Sequence, residues 1–134
     1  MSRVLEDAVA AAQARQGTGA FAALCEWDRV LIAIGELEAE VNHGGFHQYY
    51  FNSAGDQAHF APQALRAIGA RTMADLVDFA NEVFGPEGPP IPRDERLEAL
   101  LAYSDRRWDE LDRPFWADPD DLASLLEAFL WESS

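Results

Sequence analysis

Twenty-four acidic side chains in a chain of 134 residues are the main source of possible chemistry. Such carboxylates serve as paired general acids and bases, as metal ligands beside histidines, or as fixed negative charges facing a basic partner. The metal reading rests on Glu36, Glu40, His43 and His47, which follow i, i+3 or i, i+4 steps, with His59 nearby. Gly44 and Gly45 lie between the two histidines and break the helix that would align them. A di-iron bundle needs a second E-x-x-H motif, and the chain has none. No metal and no cofactor is therefore expected. Paired carboxylates for glycoside hydrolysis have no distinguishing pattern here, since acids are everywhere. There is no G-x-S-x-G, no Walker loop and no G-x-G-x-x-G. Cys25, inside the apolar run 21–25, reads as a small buried hydrophobe with no partner to activate it. No enzyme is expected.

The third reading, fixed negative charge, fits the arithmetic. The formal net charge is -14, and all ten basic residues are arginine. A surface of this sign repels phosphates, so neither nucleic acid nor an anionic membrane is an expected ligand. The charge is uneven. Residues 1–70 hold eight acids and four arginines, net -4; residues 71–134 hold sixteen acids and six arginines, net -10. Asp75, Asp78 and Glu82 are spaced to share one helix face. Asp105 and Asp109 lie with Glu110 and Asp112 in a later helical stretch, where acids at the end oppose the helix dipole. Asp118, Asp120 and Asp121 precede the last apolar run. These eight residues (Asp75, Asp78, Glu82, Asp105, Asp109, Asp118, Asp120 and Asp121) are the candidate partner-binding set. Carboxylates one helical turn apart, about 5.4 Å of rise, approximate the spacing of neighbouring phosphates on a DNA strand. The plainer reading makes them solvated helix faces and helix-start charges. Arg106, Arg107 and Arg113 decide between the two, by diluting the acidic face or staying off it.

The elements that must position these residues are helical. Period-two alternation is absent, and i, i+3/i+4 apolar steps recur. Helices are expected over 3–15, 20–42, 45–53, 61–68, 73–84 and 94–112, with a last one opening at Asp118 as N-cap. The second carries a core stripe of Phe21, Leu24, Trp27, Leu31, Ile34, Leu37 and Val41, with Glu26, Arg29, Glu36 and Glu40 opposite. Thr72 and Asp75 read as a capping box, Phe79 and Leu101 as core residues, and Pro114 as a helix stop. Trp108, Trp116 and Trp131 read as core or docking aromatics. The expected architecture is all-α: a single compact domain, 1–134, of about six or seven helices, with 1–19 as a loosely packed N-terminal helix. The first residues do not form a secretory signal, and no run of about 18 apolar residues occurs. The expected location is the cytoplasm.

The most specific segment is ELEAEVNHGGFHQYYFNS, 36–53. Its Asn42, Gly44, Gly45, Phe46, Gln48, Tyr49, Tyr50, Asn52 and Ser53 resemble the N-x-G-G-F-x-Q-[YF]-[FY]-x-N signature of a family of bacterial DNA-mimic proteins. The Gly55-Asp56 turn and the late Leu111-Asp112-Arg113-Pro114-Phe115-Trp116 element agree with that resemblance, which covers roughly 20–131. It implies an all-helical fold and, for at least one member, an acidic surface occupying the DNA-binding face of a transcription regulator. The implied function is an acidic protein-interaction module whose partner is a basic protein such as a DNA-binding regulator. The signature itself reads as structural: glycines for a tight turn, aromatics as anchors, and amides for capping or for bridging helices. Two alternatives stand beside this. One is a small-molecule or metal-binding domain centred on Asn42, His43, His47, Gln48 and Asn52; the other is a structural domain with no ligand.

Overall fold

A computed structural model describes residues 3–16 and 21–133. Among them are seven α-helices and no strand: α1 (Arg3–Gln16), α2 (Glu26–Phe51), α3 (Ala61–Ala67), α4 (Arg71–Glu82), α5 (Arg93–Leu100), α6 (Asp105–Trp116) and α7 (Leu122–Ser133). Short 3-10 turns cover Phe21–Ala23 and Ser53–Gln57. The protein is a single compact all-α domain. The break expected at 16–19 falls largely outside the described residues.

Helix α2 is the hub, with α1, α3, α5, α6 and the turn at Ser53–Gln57 all packing on it. Its sequence explains why. Residues 30–35 are all buried, so the expected stripe widens into a segment apolar all round, as a central helix requires. Helix α2 begins at Glu26 rather than at 20, and Cys25 before it is exposed, against the buried position expected. A 3-10 turn takes up the preceding apolar residues instead. Glu36, expected on the solvated face, is half-buried, as is Glu38, and burial pushes both carboxyls up from their ordinary range.

The Asn42–Gly45 break is a kink inside one continuous element. Gly45 has φ 77° and ψ -178°, a region open essentially to glycine alone. Beyond it, Phe46, Tyr49 and Tyr50 face inward as expected and are fully buried. Helix α3 starts with Pro62 in its first turn, and Gly69 closes it in a Schellman turn: Ala70 N–H donates to Leu65 O (2.8 Å) and Gly69 N–H to Arg66 O (3.1 Å).

The remaining boundaries differ from expectation. Helix α4 starts at Arg71, so Thr72 lies inside it, and no local side chain caps it. Its free Met73 N–H donates instead to Asp120 (2.7 Å), supplied from the loop before α7. The expected helix over 94–112 is two helices. The chain turns at 101–104, where Ser104 is extended (φ -83°, ψ 157°) and Tyr103 packs edge-on against Phe84 and Trp108. Leu101 is consequently 87% exposed rather than core. Pro114 does not stop α6. It sits in the final turn and costs the helix one backbone hydrogen bond, while Phe115 is buried and Trp116 donates to Val41 O (2.8 Å), and both anchor that turn. Helix α7 opens at Leu122, not at Asp118. Asp118 and Asp121 both take positive φ (51° and 52°), which Asp tolerates better than most residues. Asp118 accepts the Leu122 N–H (2.9 Å), and Asp121 accepts the Ser124 hydroxyl (2.8 Å).

Candidate functional site: the signature hub and the acidic surface

The signature segment is the internal joint of the fold. Where a Cβ on Gly45 would stand, the Asp112 carboxylate stands instead. Asp112 accepts the Phe46 N–H at 2.7 Å. Phe46 opens the helical segment after the kink, and its N–H has no carbonyl one turn earlier to receive it. Asp112 was expected to oppose the dipole at the end of its own helix. It faces the N-terminal end of another one, where a carboxylate is favourable. Burial nonetheless raises its pKa above the ordinary carboxylate value.

Glu40 lies on the first segment of α2, and Gln48 on the second. Gln48 Nε2 (2.9 Å) and Asn52 Nδ2 (2.8 Å) both donate to Glu40 Oε2, which ties the two arms of the kink together. Tyr50 donates its hydroxyl to Asn81 Oδ1 (2.6 Å), and Asn81 in turn donates to Ala58 O (2.9 Å). Tyr49 is fully buried, and burial pushes its phenol far up. Ser53 is exposed at the start of the 3-10 turn, and Asn42 is exposed beside Trp116 and Asp118. Gln48 and Asn52 thus join the two arms of α2 to each other, whereas Asn42 points to the surface. His43 is exposed, His47 stacks on Phe51 (6.2 Å), and His59 Nε2 donates to Pro89 O (2.7 Å). Among the described residues, no three His, Cys, Asp or Glu side chains converge as a metal-ligand set.

Sequence reasoning missed Arg96. It is fully buried, and its guanidinium donates to Tyr50 O (2.6 Å), Ile91 O (2.9 Å), Asn52 O (3.1 Å) and Asp56 Oδ1 (2.9 Å). It thereby joins the end of α2 to the Pro-rich connection before α5. A charged residue in α5 read only as surface, because nothing in its local pattern announces partners some forty positions away. Asp112 did carry a signal, through its place in the Leu111–Trp116 element, but its target did not.

The eight candidate acids fall into three groups. Asp75, Asp78 and Glu82 run along α4, with Asp75 and Glu82 exposed. Arg66 on α3 holds Asp75 (3.1 Å) and forms a closer ion pair with Asp78. Asp105 and Asp109 are exposed on α6, which packs against α4. Asp118, Asp120 and Asp121 form the loop before α7, and each accepts a hydrogen bond that starts α4 or α7. Among the described residues, Arg106, Arg107 and Arg113 form no ion pair within 4.0 Å. They do alternate with Asp105, Asp109 and Glu110 along the exposed surface of α6, so that helix is close to neutral outside. Residues 114–134 carry five acids and no arginine.

These features define a small all-helical protein with an ordered polar joint inside and a surplus of carboxylates outside. Residues 22–133 match the sequence profile of the DMP19-like protein family, so the chain belongs to that family, a family of DNA-mimic proteins. Helix α1 lies ahead of the matched region. No curated protein and no solved structure matches the chain. Among the described residues, no helix is long and apolar enough to cross a membrane.

Proposed function

We propose that the protein is a DNA mimic that binds the basic surface of a DNA-binding protein through carboxylates on and around α4. The observation that carries this reading is their alignment. Helix α4 is about 18 Å long. Asp120 sits on its N-terminal turn, Asp75, Asp78 and Glu82 follow along it, and Glu82 meets Glu110 of α6 across a groove near its other end. A line of charge of that length can engage several Lys or Arg side chains at once. Long-range attraction speeds the encounter, and desolvated pairs set specificity. Arg66 partly compensates Asp75 and Asp78, and Arg106, Arg107 and Arg113 dilute Asp105 and Asp109 on α6, which counts against that helix as part of the face and leaves Glu82, Asp118 and Asp121 as the freer members. The location that suits such a role is the cytoplasm.

The test is capture from native-cell lysate on immobilised protein at low salt, followed by a salt gradient. The expected result is a DNA-binding protein that elutes with salt and is displaced by duplex DNA. It should be lost from the combined E82Q/D105N/D109N variant, three exposed positions whose change leaves the fold intact. Captured proteins indifferent to salt, to duplex DNA and to those substitutions would overturn the proposal.

A further inference from the structure

Phe79 is out of place for a residue that repels water. It was expected inside, yet it is 59% exposed. The reason is rotational. Met73, Ala74, Val77 and Ala80 form the buried face of α4, and two residues beyond Val77 is about 200° around the helix. Phe79 therefore stands on the side that carries Asp75, Asp78 and Glu82. It lines a groove of about 460 Å³ between α4 and α6, together with half-buried Val83 and Leu111. The rim consists of Glu82, Glu110 and Arg107.

We infer that this groove receives one apolar side chain from a basic partner, presented on a helix or loop with Arg or Lys on either side. The charge argues for that occupant. The rim carries two carboxylates against one guanidinium, within a half of the chain that is net -10. A second copy of this chain would bring the same acids to the same rim. An apolar anchor surrounded by charge is the usual arrangement of an interface hot spot, in which water-excluded packing supplies affinity and the rim selects the partner. A line of carboxylates alone cannot distinguish one basic surface from another. A pocket that demands a particular apolar residue at a fixed place among the charges can. The inference rests on the reading of the α4 acids as a docking face and adds what that face prefers.

The probes are two synthetic helical peptides rich in Arg and Lys, one with a central Leu and the other with Ser at that position. Each is titrated into ¹⁵N-labelled full-length protein. The Leu peptide should bind at least tenfold more tightly, about what burying one Leu-sized side chain gives. Its shifts should concentrate at Phe79, Val83 and Leu111. Phe79→Ser, at an exposed position that leaves the fold intact, should cut the preference below threefold without altering the salt dependence. Equal, salt-sensitive binding of both peptides would overturn the groove and leave the acidic surface standing. Failure of both to bind would remove both readings. Self-association through Phe79, seen as a concentration-dependent mass in sedimentation, would overturn the assigned occupant.

Discussion

Gly45 and Asp112 act as one unit although 67 positions separate them. The backbone at Gly45 occupies a region that costs other residues on the order of 1–3 kcal/mol, and a Cβ there would overlap the Asp112 carboxylate. Gly45→Ala should therefore lower stability by about 2 kcal/mol or more, read as a shift in urea midpoint. In Gly45→Ala/Asp112→Ala the overlap is gone but the backbone strain stays and the Phe46 N–H has lost its acceptor, so Gly45→Ala should cost less in the Asp112→Ala background than in the parent but not nothing. No loss in that background would mean that conformation at Gly45 carries no cost. Arg96 is the second residue on which many bonds converge. Its removal strands the buried Tyr50 O and takes a donor from Ile91 O and from Asn52 O, the last of which keeps the Gly55 N–H. A buried acceptor left without its donor costs about 1–3 kcal/mol and the void of a large buried side chain adds to it, so Arg96→Ala should lose about 3–5 kcal/mol. Arg96→Lys should fall between, since a point charge with three donors cannot reproduce the planar fork. A Lys variant as stable as the parent would show that only the charge matters.

The pairing of whole elements depends on similarly sparse contacts. Helix α1 buries Val9 and Ala12, and its Arg15 makes a two-pronged bond to Asp28 of α2 (2.8 and 2.6 Å). Gly35 admits the helix, since a Cβ there would come within 2.8 Å of Val9 Cγ1. Val9 is β-branched and has little rotamer freedom to yield. Gly35→Ala raises the intrinsic helicity of α2 by about 1 kcal/mol, so overall stability should change little while α1 is pushed away. Hydrogen exchange should show residues 3–16 losing protection and 26–43 keeping theirs; unchanged protection of α1 would refute the close-approach role. The sequence made the helical period, the break at the paired glycines and the helix start at 61 legible, because each is encoded within a few residues. The caps of α4 and of the second arm of α2 were not, because Asp120 and Asp112 reach them from 47 and 66 positions away. The division of α5 from α6 was hidden for another reason. Tyr103 packs against Phe84 and Trp108 at the turn, and the one local sign of it, Ser104 at the N-cap position with Asp105 after it, is masked by the apolar period that runs through both helices. Phe79 reads as core on hydrophobicity alone, although its angle on α4 sets it opposite Val77. The family signature was legible as a pattern and as a joint, whereas the partner acids that complete it were not.

At the scale of the molecule, a charge of -14 works against the compact state, and the burial of three carboxyls adds to that cost. Glu36, Glu38 and Asp112 have pKa values raised in the first place by burial, from ordinary values of 4.5, 4.5 and 3.8. The folded protein therefore holds protons more tightly than the unfolded chain between those ordinary values and the raised ones. In that window stability increases as pH falls, and it is lost as pH rises through the folded values. Asp28 works in the opposite direction. Its bond to Arg15 lowers its pKa from 3.8, so its contribution is present above that value and disappears as pH drops through the depressed one. Urea midpoints should thus climb from pH 7 toward about pH 4–5 and fall again under stronger acid. Asp112→Asn should flatten the climb, and Asp28→Asn should remove part of the acid limb. Salt at about 0.15 M shortens the screening length to about 8 Å, so it should raise the midpoint at pH 7 and do so less at pH 5, where fewer carboxylates repel. The same salt weakens a charge-driven complex. Stability that rises with ionic strength while affinity falls is therefore the joint signature of a surface whose acids serve a partner at some cost to the fold, and parallel changes in the two would contradict it.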